Sequence, residues 1–191
     1  MKKSMKIAIG IIMGCMVING CMSNSTLKES KPVVQQEQQQ KTQSDIAYEK
    51  FENVQMRSSY DQVKQVLGVE GTLTASNTIG NLTTEGYDFN VNGVHMHLQF
   101  QNGELSTKHI NSGHNVSKKV TLEKYNKVQV GMTYDQVKQI FECDGFLSSV
   151  QQYSSGTKFV FVMWRNASGS FATIQFDGDG NVKGKVQAGL N

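Results

Sequence analysis

Apolar positions along the chain fall into three regimes. Residues 7–18 are a nearly unbroken apolar run behind a basic start, Met1-Lys2-Lys3-Ser4-Met5-Lys6. Residues 22–45 are the reverse, a polar stretch rich in Ser, Thr, Lys and Gln that includes Gln35-Gln36-Glu37-Gln38-Gln39-Gln40. From about residue 46 the pattern becomes that of a folded body, with short amphipathic segments followed by alternating ones.

The amphipathic segments come in pairs. Phe51 and Val54 share one face of a short helix over 48–54, and Tyr125 and Val128 do the same over 122–128. A second helix is predicted over 60–67, with a stripe of Val63, Val66 and Leu67, and again over 134–141, with Val137, Ile140 and Phe141. Ser59 with Gln62, and Thr133 with Gln136, read as capping boxes that start these helices. Gly131 can supply a positive φ in the preceding turn, whereas the first copy has Arg57 there, so that turn reads as having drifted.

The pairing is a repeat. Tyr-Asp-Gln-Val-Lys-Gln occurs at 60–65 and again at 134–139. Residues 48–73 align with 122–147 without a gap at an offset of 74, with 12 of 26 positions identical. About one or two identities would arise by chance, so the segment marks a duplicated module. The hexamer reads as a capped helix start with Asp, Lys and Gln facing water, a fold signature with no catalytic content.

Strands are predicted over 72–76, 85–91, 94–100 and 104–110, and over 146–151, 158–164, 171–176 and 181–187. Asn92-Gly93 and Asn102-Gly103 are hairpin turns between them. The fold class is therefore α+β, two tandem repeats of a helix-loop-helix and a four-stranded antiparallel sheet, with helices covering one face. The organisation expected is 1–20 signal, 21–45 disordered tether, 46–114 first repeat and 115–191 second repeat.

Composition changes the picture mainly at the N-terminus. Of the net charge of +3, Lys2, Lys3 and Lys6 sit in the acid-free first 20 residues, which leaves sixteen bases against sixteen acids. A neutral body has no long-range field to gather polyanions, so no nucleic acid is expected as partner. The run over 7–18 is short for a permanent membrane span. It ends in Val17-Ile18-Asn19-Gly20-Cys21, which resembles a bacterial lipobox, with Cys21 as the residue that receives diacylglycerol and palmitate-type chains. Ile12-Met13-Gly14-Cys15 competes, but leaves an apolar region of only about eight residues. This makes the chain a membrane-anchored lipoprotein on the extracytoplasmic face. The polar stretch then serves as a solvated spacer reaching on the order of 25–30 Å. Cys143 is the one cysteine of the body, so no intramolecular disulfide is expected, and its alignment with Val69 reads as a small buried hydrophobe.

Candidate chemistry is sparse. Asp177, Asp179 and Asn181 are spaced like the start of a calcium loop, but Val182 and Ala188 stand where glycine and glutamate belong, and the first copy has a hairpin turn there. His95 and His97 alternate with Met96, Leu98 and Phe100, which places both histidines on the open side of the sheet. With His109 or His114 they could bind zinc or copper, though no spacing enforces it, and exposed histidines on a polar face are the default. The strand over 158–164 is apolar in both registers, and only one set can face its own helices. The other set packs on the neighbouring repeat or forms a binding patch. Lys158 is in register with Val160, Val162 and Trp164, which assigns that set to the open face. No nucleophile–base pair, carboxylate pair or phosphate loop stands out, so neither an enzyme nor a cofactor or metal is expected.

The segment over 122–133, with Val130-Gly131-Met132-Thr133 before a helix and Gln136-Val137 following, resembles the repeat of the β-lactamase inhibitor protein family. It is also similar to the wider superfamily that includes small outer-membrane assembly lipoproteins, and to Gram-positive lipoproteins with domains of unknown function. The resemblance covers about 47–190. It implies a tandem module whose two sheets make one concave, protein-binding surface. The disulfides of the inhibitors are absent here, and the hairpin Asn90-Val91-Asn92-Gly93 is short and neutral where theirs is acidic, so β-lactamase is not carried over as target. The expectation is a non-enzymatic protein-binding lipoprotein, inhibitor-like, gripping its partner through Val160, Val162, Trp164, His95 and His97. The alternative is a structural factor in envelope assembly or maintenance.

Overall fold

Serine and threonine set where the helices begin. A computed structural model describes residues 41–111 and 119–191, all within the unit Gln39–Asn191. Thr42 opens α1 (Gln43–Asn53), Ser59 opens α2 (Tyr60–Leu67), Thr121 opens α3 (Leu122–Lys127) and Thr133 opens α4 (Tyr134–Phe141). Reciprocal capping boxes form at Thr42/Asp45, Ser59/Gln62 and Thr133/Gln136. The first of these starts α1 ahead of Tyr48, so residues 43–45 are helical although their polarity reads as tether. The lipobox, Cys21 and His114 lie outside the described residues.

The strands are β1 (Thr72–Ile79), β2 (Leu82–Val91), β3 (Val94–Gln101), β4 (Glu104–Ile110), β5 (Phe146–Gln152), β6 (Lys158–Arg165), β7 (Phe171–Asp177) and β8 (Val182–Ala188). The β1–β2 hairpin is longer than its sequence suggests. Residues 77–84 carry Asn, Thr and Gly and no apolar alternation, yet they pair as far as Ile79↔Leu82 around Gly80 at φ 59°. Two separate four-stranded sheets are not what forms. The eight strands make one antiparallel sheet in sequence order, because β4 and β5 pair through Thr107↔Gln151, Lys108↔Val150 and His109↔Ser149. That pairing leaves neither strand as an unsatisfied edge. Ser149 Oγ donates to Lys108 O at 2.9 Å, Tyr48 Oη accepts the Leu147 N–H, and Arg57 donates to Tyr153 O across the same seam.

All four helices pack on one face. Beneath α1 and α2 lie Phe51, Val63, Leu67, Phe89, Met96, Leu98, Phe100 and Leu105. Beneath α3 and α4 lie Val128, Val137, Phe141, Trp164, Ile174 and Phe176. The repeated hexamer fastens each second helix to the strand that follows. Tyr60 Oη bonds Glu70 and accepts the Gly71 N–H, while Lys64 pairs with Glu70. Tyr134 Oη bonds Asp144 at 3.0 Å, and Lys138 pairs with it at 2.7 Å. Burial, reinforced by Asp144, raises the Tyr134 pKa, so the phenol stays neutral and donates. Gly71 and Gly145 follow, where a Cβ would sit 2.5 Å from the Phe89 ring or from Val162 Cγ1, so only glycine lets the strand start this close to the core.

Two lysines that the sequence pattern does not reveal close the first helix of each half. Lys108 on β4 turns inward and donates to Phe51 O at 2.7 Å, Val54 O at 2.8 Å and Glu52 O at 3.2 Å. Lys185 on β8 donates to Val128 O at 2.7 Å and Tyr125 O at 2.8 Å. Each ammonium also lies over an aromatic ring, Phe51 or Tyr125. The C-terminal carbonyls of α1 and α3 are thereby satisfied, Phe51 O and Tyr125 O in addition to the C-cap N–H bonds of Val54 and Val128. Arg57 holds φ 70° where its counterpart Gly131 has φ 90°, so the turn before the second helix has not drifted. Arg57 takes the left-handed conformation at some backbone cost and gains Glu104 at 3.0 Å and Tyr153 O.

Candidate protein-binding face of the sheet

Strand alternation sorts the side chains, and the core identifies the sorting. On β6, Val162 and Trp164 are buried under α3 and α4, with Val160 packed beside them. Trp164 Nε1 donates to Cys143 O at 3.0 Å, and its ring lies 5.0 Å from Phe141 and 6.0 Å from Tyr134. The assignment of Val160, Val162 and Trp164 to the open face is therefore corrected. Lys158, whose charge suggested exposure for the whole set, sits at the strand end, where it reaches water from either face. Gly145, and the indole N–H that finds a backbone carbonyl, decide the matter for Trp164.

The opposite set, Phe159, Phe161 and Met163, occupies the open face and is half-buried without a covering layer among the described residues. Register extends it: Phe161 stands beside Gln175, Met163 beside Thr173, and Arg165 beside Phe171. Val186 neighbours Thr173 on β8 and is 57% exposed. Strands β6–β8 thus present Phe159, Phe161, Met163, Phe171 and Val186 on one side.

The other half of the same face is polar. His97 faces Asp88 on β2 and His109 on β4. His97 Nδ1 lies 2.7 Å from Asp88 Oδ1, and His109 Nε2 lies 2.7 Å from Asn111 Oδ1. His95 is exposed two residues before His97, so both predicted histidines do lie on the open side, while Met96, Leu98 and Phe100 are buried opposite. One row crosses most of the sheet: Asp88, His97, His109, Ser149, Phe161 and Gln175. It is polar at one end and aromatic towards the other, with imidazole, amide and hydroxyl groups able to hydrogen-bond a partner.

The remaining chemical candidates have structural roles. Asp177 Oδ1 accepts from the Asn181 N–H at 2.9 Å and the Asp179 N–H at 3.0 Å, and Oδ2 pairs with Lys183 at 3.1 Å. These bonds, led by the Asn181 N–H, hold the Asp177 carboxyl below its usual range and close a hairpin turn. Among the described residues no three His, Cys, Asp or Glu side chains converge as a metal site. Cys143 is half-buried and donates to Phe141 O. No described helix is long and apolar enough to cross a membrane.

Residues 47–158 match the family model described as β-lactamase inhibitor (BLIP). A crystal structure of a candidate β-lactamase inhibitor protein from Streptococcus mutans superposes with a TM-score of 0.56, at 18% identity, over 74% of this chain and 94% of that one. At that identity the likeness speaks for the fold alone. No curated protein matches the sequence. With more than half of its length matched by the model, the chain belongs to the β-lactamase inhibitor (BLIP) family.

Proposed function

We propose that the chain is a non-enzymatic, inhibitor-like protein-binding module, tethered to the extracytoplasmic face of the membrane by a lipid on Cys21. The observation that carries it is the uncovered apolar set Phe159, Phe161, Met163, Phe171 and Val186 beside the polar strip of His95, His97 and His109. An apolar patch rimmed by polar groups on an otherwise covered sheet is the composition of a protein interface. A rigid sheet also presents such a patch with little ordering to do on binding. The family's own description is of inhibitors, which act by binding. The two halves, each a helix pair followed by four strands, read as copies of one duplicated module. The second copy's apolar strand surface and the first copy's polar one are where they have diverged in use.

Phe161→Asp places a charge at the centre of the apolar half without touching the helix-side core. The full chain carrying it should lose its partner in affinity capture from envelope fractions, while its urea midpoint stays with wild type. Capture that is unchanged in Phe161→Asp and in Phe171→Asp rejects the open face as the working surface. Tethering is tested separately: Cys21→Ala should shift the protein from the membrane fraction to the soluble one.

A further inference from the structure

The sheet has two edges of opposite character. β8 carries Lys183 and Lys185, and both edge pairings contain a bulge, at Gln175/Phe176 beside β8 and at Leu73/Ala75 in β1, so charge is what separates the two edges. Charge of this kind keeps edges from pairing with other chains. β1 has neither lysine nor any other charge. Its sequence Thr-Leu-Thr-Ala-Ser-Asn-Thr-Ile also lacks proline and glycine, all eight residues are exposed, and among the described residues it has a strand neighbour, β2, on one side only. Threonine and isoleucine favour the extended conformation. Its register with β2 is regular from Ala75 to Ile79.

The direction of its free backbone groups can be read from β2. Thr83 donates its N–H to Asn102 Oδ1 and accepts the Asn102 N–H on its carbonyl, so its backbone points away from β1. Thr78 stands opposite Thr83 and Ser76 lies two residues before it, in the same phase. Their N–H and C=O groups therefore point outward from the sheet. The side chains of Ala75, Asn77 and Ile79 share the open face with Thr84, and Ile79 is 73% exposed.

We infer that the outer edge of β1 pairs antiparallel with β1 of a second copy about a two-fold axis at Asn77, continuing the sheet from one molecule into the next. Strand parity allows this pairing, and the regular register over 75–79 with the cover it gives Ile79 favours the axis at Asn77. Antiparallel neighbours must place side chains on the same face, so the axis passes through a residue. At Asn77 the outward groups of Ser76 meet those of Thr78 in the second copy, and the symmetry mate repeats the pair. Ala75 then packs against Ile79 of the second copy, which covers the aliphatic side chain left bare in one molecule. Asn77 faces its own equivalent as amide to amide. Neither strand brings a charge, so no like charges oppose, and the contact is isologous. A foreign strand would find neither charge nor pocket here to select it. The axis stands normal to the sheet, so both open faces point the same way and form one longer binding surface.

The test is sedimentation of the full chain in detergent across a concentration series. Wild type should show a monomer–dimer equilibrium. Thr78→Pro removes an outward N–H while leaving the β1–β2 ladder intact, a position where an edge strand tolerates proline, and should give monomer. Asn77→Lys and Asn77→Asp each set like charges against each other at the axis, and each alone should be monomeric. An equimolar mixture of the two should regain the dimer. A wild type that stays monomeric overturns the proposal. So does association that Asn77→Lys leaves unchanged, since it would then come from another surface or from the N-terminal apolar run.

Discussion

Replacing Lys108 by methionine removes the ammonium but keeps most of the stem over the Phe51 ring. Two of the three carbonyls it serves, those of Phe51 and Val54, take buried hydrogen bonds, and the bond to Glu52 O is only part-buried. Stranding a buried acceptor costs about 1–3 kcal/mol. Val54 O loses its partner outright, whereas Phe51 O keeps the Val54 N–H at 3.3 Å, so the two together cost roughly 1–6 kcal/mol, while water can replace the bond to Glu52 O. Against this, burying the ammonium is itself unfavourable. Lys108 is 3% exposed, and desolvation, partly opposed by Glu52, pushes its pKa down to about 8. A depression of that size from the usual lysine value corresponds to roughly 3 kcal/mol that methionine would recover at neutral pH. The net expectation at pH 7 therefore lies between a gain of about 2 kcal/mol and a loss of about 3 kcal/mol. The pH dependence has a definite sign. Between about pH 8 and the unfolded lysine value near 10.5 the unfolded chain holds the extra proton, so wild-type stability rises with pH relative to the variant. Urea unfolding of both proteins at pH 7 and pH 10 should show wild type gaining up to about 3 kcal/mol on the variant. A wild type that gains no stability on the variant, or loses some, as the pH is raised refutes the reasoning.

Lys185→Met should cost about 1 kcal/mol by urea midpoint, because Lys185 is only half-buried and serves two carbonyls. Gly145→Ala forces a methyl to within 2.5 Å of Val162 Cγ1 and 2.7 Å of the Trp164 ring, and should cost about 1–3 kcal/mol in the same assay. Trp164→Ala empties a fully buried site and should cost about 3–5 kcal/mol, whereas Phe161→Ala on the open face should stay within about 1 kcal/mol of wild type. Equal losses at the two positions would mean that the faces of β6 have been assigned wrongly.

Local features of this fold are legible in the sequence because each rests on a few neighbouring residues. The capping boxes at Ser59 and Thr133, the stripes of α2 and α4 apart from Val66, which is exposed, and the Asn-Gly hairpins are of this kind. Arginine in place of glycine suggests that the turn at Arg57 has drifted, whereas long-range bonds to Glu104 and Tyr153 hold arginine at a positive φ there. The single sheet was hidden for a related reason: β4 meets β5 after residues 111–145, and nothing in either strand announces the other. On β6 both registers are apolar, so alternation alone could not choose a face. The clue that would have chosen correctly was Gly145, aligned with Gly71, since a repeated glycine at the start of a strand marks where a large side chain must come close. Lys108 and Lys185 escaped because a lysine in a strand reads as solvent-facing, and only the helix ends above them give the ammonium its partners.

The central claim is that partners bind on the open side of the sheet. A photo-activatable residue placed in turn at His97, Phe161 and Phe171, and at Lys64 and Lys138 on the helix side, tests this in intact cells. The account predicts a discrete cross-linked protein species from the first three positions and none from the two lysine positions. Cross-links from Lys64 or Lys138 with none from Phe161 would contradict it.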